Sequence, residues 1–338
     1  MCSARGRAAA LAGSLAVLLS VSGCSAQEEL VLSYDNSSAL YGMAAQDETA
    51  SETVDFFASD LCVTDADVNN EAGNDFTSAS SGVFDTTTGE VVYADNVFER
   101  LYPASTTKIM TALVALKYGN LSDTVTVSAD ALNLEEGSSV CYLKEGDQLT
   151  LEQCLYGLLI KSGNDAANAI AETVSGSSDA FVALMNQEAA ALGAVDTHFV
   201  NPSGLHDENH YTTAYDLYLI FQEALKNETF RTIIHTDRYL TAYTSAAGER
   251  ISVTWSTTNQ YLTKEADAPE TITVVGGKTG TTLAAGSCLI LLSENAAGEE
   301  NITAVSYTHL GAGSVLRFGG HGRSQGRHAA GPGELPGL

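Results

Sequence analysis

The stretch LYPASTTKIMTALVAL, residues 101–116, sets a proline and small polar residues ahead of an apolar helical run. Its reading decides the fold, because Ser105 stands at the start of that run and Lys108 one turn beyond. At i and i+3 both side chains project from one helical face, which brings the lysine amine within reach of the serine oxygen. The spacing alone leaves two roles open to Ser105: a helix N-cap, or a nucleophile whose proton Lys108 accepts. A neutral serine attacks poorly, and a lysine takes its proton only when desolvation or a second cation lowers the lysine's own pKa. The helix N-terminus adds a dipole that favours developing negative charge.

Working outward, two further elements bear on Ser105. Ser162-Gly163-Asn164 lies in the break between the helical patterns LEQCLYGLLIK and NDAANAIAETV. Lys278-Thr279-Gly280 ends the strand pattern TITVVGG. Ser293-Glu294-Asn295 repeats the Ser-x-Asn pattern, but it follows the Lys-Thr-Gly element at a strand end beside a turn and reads as a chance match.

The rest of the chain organises around these elements. Gly82 to Phe84 and Val91 to Ala94 read as a hairpin with turn chemistry at Thr86 to Gly89. The helix of the opening stretch runs to Gly119 as its stop. Thr150 and Gln153 form a capping-box pattern ahead of a helix over Leu151 to Lys161, Ser178 can cap DAFVALMNQEAAAL, and Thr213 can cap AYDLYLIFQEAL. The last third turns to β patterns: YLTAYTS and RISVTWS around AAGE, then TITVVGGKTG, AGSCLILLS and NITAVSY. Strands at both ends with helices between imply an α+β fold, an antiparallel sheet flanked by helices with an inserted helical lobe. A cleft between the lobes is then the place for a site.

Composition narrows the function. The chain has 338 residues, 44% of them hydrophobic, and a net charge of -26. That supports a real core and excludes a nucleic-acid binder, since a polyanion would be repelled from every side. No Lys or Arg occurs between Arg7 and Arg100, and residues 25–75 read as an acidic, partly disordered tether. Ahead of it, residues 1–24 carry Arg5 and Arg7 before an apolar run from Ala8 to Val21 that is too short for a bilayer, the pattern of an export signal. Val21-Ser22-Gly23-Cys24 resembles the lipobox of bacterial lipoproteins, in which the cysteine becomes a lipidated N-terminus; ordinary cleavage after Ala26 is the alternative. Both place the mature domain outside the cytoplasmic membrane.

Cys62, Cys141, Cys154 and Cys288 include no CxxC pair, so zinc-ribbon and thioredoxin signatures are missing. Cys154 and Cys288 sit in apolar runs and read as buried free thiols. His206 and His210 in HDENH lack the helix and the glutamate of a zinc-peptidase motif. In GGKTG the first glycine of a phosphate loop would fall at Ile272, which removes that reading. No metal or cofactor is expected. Residues 308–338 are rich in Gly, Arg and His without apolar periodicity, and read as a disordered or aberrant tail after a domain spanning 76–307.

In order, Ser-x-x-Lys, Ser-x-Asn and Lys-Thr-Gly form the signature of penicillin-recognising serine enzymes. PASTTKIMTALVAL, LLIKSGNDAANAIAE, NPSGLHDENHYTTAYDL and VVGGKTGTTLAAGSCL resemble the D-alanyl-D-alanine carboxypeptidases, the low-molecular-mass penicillin-binding proteins, over roughly Ser81 to Ser306. The resemblance implies the β-lactamase/DD-peptidase-like fold, a peptidoglycan stem peptide as substrate and β-lactams as covalent inhibitors. It implies Ser105 as nucleophile, Lys108 as its base, and Ser162 as proton relay with Lys278. Asn164 would bind the substrate's amide backbone, and Lys278 with Thr279 its terminal carboxylate. Gly280 would leave the strand edge clear, and the N–H groups of Ser105 and Thr281 would form the oxyanion hole. Thr281 stands where some members carry histidine. A class A β-lactamase would need Glu-x-x-Leu-Asn, and EALKN at Glu223 to Asn227 has the wrong spacing. A non-catalytic peptidoglycan-binding protein is the other rival; it would not need the polar residues that are all present here.

Overall fold

The computed structural model describes residues 60–68 and 78–307. Cys24, the export signal and the tail 308–338 lie outside the described residues, as does most of the tether.

The chain begins with a hairpin of β1 (Ser80–Asp85) and β2 (Glu90–Asp95). A short 3-10 turn, Ala104–Thr107, feeds α1 (Lys108–Tyr118), which ends at Gly119. Every residue of α1 from Lys108 to Ala115 is buried, so this helix runs through the core rather than over it. Then come β3 (Thr124–Thr126), β4 (Gln148–Thr150), α2 (Leu151–Leu159), α3 (Asn164–Ser175), α4 (Ser178–Ala191), α5 (Ala214–Leu225) and α6 (Glu228–His235). The chain closes with β5 (Arg238–Thr244), β6 (Arg250–Ser256), a single turn α7 (Gln260–Thr263), β7 (Ile272–Thr282), β8 (Gly286–Asn295) and β9 (Glu300–Tyr307).

A five-stranded sheet in the order β2-β1-β9-β8-β7 joins the two ends of the domain, and its pairings are antiparallel. The α+β arrangement with an inserted helical lobe is therefore present. The hairpin β5-β6, however, is not part of that sheet. It completes a second, four-stranded sheet in the order β3-β4-β5-β6. β3 and β4 are three residues each, too short to register as an alternating pattern. The capping box of α2 explains the docking of this sheet. Thr150 Oγ1 accepts from Gln153 N–H at 3.2 Å and Gln153 Oε1 from Thr150 N–H at 2.8 Å. The Gln153 amide also donates to Thr241 Oγ1 and the Ala242 carbonyl on β5.

Three local readings need correction. Ser177, not Ser178, caps α4, accepting from Ala180 N–H. Helix α2 stops at Leu159, short of Lys161, because the chain must turn into Ser162. Within the stretch assigned to the acidic tether, Asp60 to Val68 packs on the domain. Cys62 is fully buried, its N–H donates to Tyr218 Oη at 2.8 Å, and Val68 pairs with Ala94. Tyr215 Oη donates to the Cys62 carbonyl and Lys226 pairs with Asp60 at 2.9 Å, so these contacts hold the segment despite its acidity. Among the described residues no helix is long and apolar enough to cross a membrane.

Candidate active site

Ser105 does not cap a helix. It lies inside the 3-10 turn, whose N-cap is Pro103, and no side chain caps that turn. Its hydroxyl instead accepts a hydrogen bond from Lys108 Nζ at 3.0 Å. Ala104 just before it has φ +49°, a left-handed conformation that costs a non-glycine residue about 1 kcal/mol or more. The sharp bend presents the serine at the surface of the central helix instead of within it.

Lys108 is completely buried. Besides Ser105 it donates to Asn164 Oδ1 at 2.8 Å and to the Ser203 carbonyl at 2.5 Å. Burial, and then the neighbouring Lys278 cation, hold its amine well below the ordinary lysine range. Both desolvation and a second cation therefore act on this one lysine.

The remaining predicted residues converge on the same place. Lys278, 1% exposed, donates to Ser162 Oγ at 3.0 Å and to the Thr279 carbonyl at 2.6 Å, and burial pushes its pKa down to about 7. Ser162 has φ +63° in the connection between α2 and α3, the second strained non-glycine residue of the site. Asn164 opens α3 and is buried, and its side-chain oxygen accepts from Lys108.

The Lys278-Thr279-Gly280 triplet falls inside β7 rather than at its end, and the ladder continues to Thr282 against Gly286. β7 is the outer strand of its sheet, so its free edge is available to an extended ligand. A Cβ on Gly280 would stand 2.8 Å from Ser105 N and 3.1 Å from Thr106 N. Glycine is what lets the strand lie against the serine turn. Thr279 Oγ1 is 2.6 Å from Thr258 Oγ1, and Thr281 Oγ1 donates to the Gly280 carbonyl at 2.8 Å.

Residue-type reasoning missed the groups that hold these side chains in place. Asn201 Oδ1 accepts from the N–H groups of Ser203, Gly204 and Leu205, folding NPSGL into a tight loop. That loop delivers the Ser203 carbonyl to Lys108 and the Pro202 carbonyl to Thr111 Oγ1. Gly204, at φ +85°, lies so close to the Ala104 carbonyl that a Cβ would overlap it. Asp165 fixes the other wall, its carboxylate accepting from the N–H groups of Cys141, Leu143 and Ala166. The Asn-Pro-Ser-Gly turn composition and an aspartate in the first turn of α3 were the available signals. Cys141, Cys154 and Cys288 are buried thiols, all unbridged. His206 and His210 diverge: His206 packs edge-on to Tyr102, while His210 is buried between Thr107 Oγ1 and the Val200 N–H.

An antiparallel sheet whose edge strand faces a serine in the turn ahead of a buried central helix, with a lysine at that helix's start, defines the class of penicillin-recognising serine enzymes. The crystal structure of the Streptomyces K15 DD-transpeptidase superposes with a TM-score of 0.64 at 31% identity, covering 69% of this chain and 90% of that one. The family model described as D-alanyl-D-alanine carboxypeptidase matches residues 67–307, and the chain belongs to that family. Among relatives, the carboxypeptidase DacF of Bacillus subtilis is 46% identical over 147 residues, 42% of this chain and 37% of DacF. DacC of Escherichia coli is 36% identical over 217 residues, 62% of this chain and 51% of DacC. The chain thus spans about half or less of the length of these two relatives.

Proposed function

We propose that the protein is a serine-type D-Ala-D-Ala carboxypeptidase, which removes the terminal D-alanine of peptidoglycan stem pentapeptides during cell-wall maturation. The observation that carries the reading is the buried Lys108 amine 3.0 Å from Ser105 Oγ, in surroundings that favour its neutral form. Ser105 Oγ attacks the carbonyl carbon between the two D-alanines as its proton passes to Lys108. The oxyanion is held by the Ser105 and Thr281 N–H groups. The C–N bond then breaks while Ser162, hydrogen-bonded to Lys278, passes a proton to the leaving amine. D-alanine departs, and water hydrolyses the remaining ester to restore Ser105.

Lys278 and Thr279 hold the substrate's terminal carboxylate, a local anion site on a chain of net charge -26. Asn164 holds the peptide amide. A β-lactam places its ring carbonyl where the D-Ala-D-Ala carbonyl sits and acylates the same serine. Residues 76–307 form the catalytic domain, and the protein works on the outer face of the cytoplasmic membrane, held there by lipid on Cys24. The test is mass spectrometry of the folded protein after a labelled penicillin. An adduct on Ser105 that is lost in Ser105→Ala, with D-alanine released from a pentapeptide by the parent, is expected; no adduct sinks the reading. For the anchor, unchanged membrane retention of Cys24→Ala would count against lipidation.

A further inference from the structure

Thr279 is held on two sides. Lys278 Nζ donates to its carbonyl at 2.6 Å and β7 pairs it with Leu289 of β8, so its backbone is fixed. Its hydroxyl lies 2.6 Å from that of Thr258, a residue 21 positions away that belongs to none of the three motifs.

Thr258 stands on a segment tied down at several points. Its N–H donates to the Ile160 carbonyl at 3.1 Å, and the N–H of Thr257 to the Asp237 carbonyl at 2.8 Å. Asn259, 2% exposed, accepts at Oδ1 from the Tyr261 N–H at 3.0 Å and so caps α7. Because Ile160 closely precedes Ser162, this segment joins the end of α2 to the strand that carries Lys278 and Thr279. A threonine hydroxyl has one proton to give and two lone pairs to offer. Without a ligand either threonine can donate to the other. With an anion at Thr279 the direction is forced: Thr279 gives its proton to the carboxylate, and Thr258 must donate to Thr279. A hydroxyl that accepts one hydrogen bond donates its own more strongly.

We infer that Thr258 is a positioning residue for the substrate's terminal carboxylate, acting through Thr279: its hydroxyl donates to Thr279 Oγ1 and so aims the Thr279 proton at the anion. Thr258 adds no charge; it fixes the direction and strength of one hydrogen bond. The inference rests on the carboxypeptidase reading, which places the carboxylate at Lys278 and Thr279.

Thr258→Val removes the hydroxyl at nearly constant shape, and Thr258→Ser restores it. With the whole chain, D-alanine release from a pentapeptide gives kcat and KM. Labelling of Ser105 is timed with benzylpenicillin and with its methyl ester, whose carboxylate is masked. In Thr258→Val we expect KM to rise about three- to tenfold, the worth of one hydrogen bond. kcat should stay close to the parent's, because the carboxylate is held alike in the ground and transition states. Labelling by the acid should slow by a similar factor while labelling by the ester is unchanged, and Thr258→Ser should recover both KM and labelling by the acid. No change in Thr258→Val, equal slowing with acid and ester, or Thr258→Ser behaving as Thr258→Val overturns the role. A parent that labels but releases no D-alanine removes the carboxypeptidase reading, while the comparison of acid with ester still decides Thr258. A parent that does neither removes both.

Discussion

Lys108 Nζ is held at 2.5 Å by the backbone carbonyl of Ser203, a residue 95 positions away, on the same amine that reaches Ser105. The carbonyl is an acceptor only, so it orients the amine and favours its protonated form, against the opposing effect of burial. The position of that carbonyl depends on the three N–H groups that Asn201 gathers.

Asn201→Ala should therefore leave the Ser105-Lys108 pair in place but loosen its support. We expect the rate of penicillin acylation to fall roughly ten- to hundredfold, the cost of a misplaced reacting group. Stopped-flow acylation with circular dichroism to confirm folding checks this; an unchanged rate would show the loop to be passive.

Lys108 must be neutral to accept the serine proton, so acylation should fall as pH drops through its lowered pKa. Lys278 is a cation that helps to lower it. Removing that charge in Lys278→Met raises the Lys108 pKa and moves the acid limb of the acylation profile to higher pH. A limb that stays put or moves downward would contradict the coupling. Lys108→Met itself should cost about 10²- to 10⁴-fold, the usual contribution of a positioned base.

Gly280→Ala places a methyl 2.8 Å from Ser105 N. Strand and turn must separate, so we expect about 1–3 kcal/mol of lost stability and a larger relative loss of acylation. Thermal unfolding followed beside penicillin labelling measures both. An alanine variant with full labelling would show that the strand approaches the serine less closely than described.

His210 predicts acid sensitivity. The Val200 N–H donates to Nδ1, so the neutral ring must carry its proton on Nε2, facing Thr107 Oγ1. Burial pushes the pKa down to about 4, from an ordinary value near 6.5. The folded state then binds fewer protons than the unfolded state between those limits, so stability rises with pH across that window. Acidification from pH 6.5 to 4 should cost up to about 3 kcal/mol at this group. Chemical denaturation at several pH values, repeated in His210→Asn, should show a shallower slope in the variant; equal slopes would assign the acid sensitivity elsewhere.

Much of the site was legible because its chemistry follows short spacings. Ser105 and Lys108 meet as i and i+3 neighbours do, and the turn chemistry around Gly163 marked the helix break that holds Ser162 and Asn164. The predicted capping box of Thr150 and Gln153 formed for the same local reason. Where longer range decides, the reading failed. The bend at Ala104 that turns Ser105 away from a cap was not visible, because β7 and Gly204 crowd the turn from both sides. β3 and β4 escaped notice since three residues carry no usable alternation, and the second sheet was missed with them.

The sequence by itself determined the order of elements, the α+β class and the residue types able to do acyl transfer, since periodicity, caps and motif spacing act within a few residues of one another. The tertiary structure alone decided that two lysines lie in one water-poor interior, that the Ser203 carbonyl holds one of them, and that an edge strand passes beside the serine. Desolvation and coulombic coupling depend on what surrounds a charge in space, and residues 105, 162, 203 and 278 become neighbours only when the helices and the sheet close around α1.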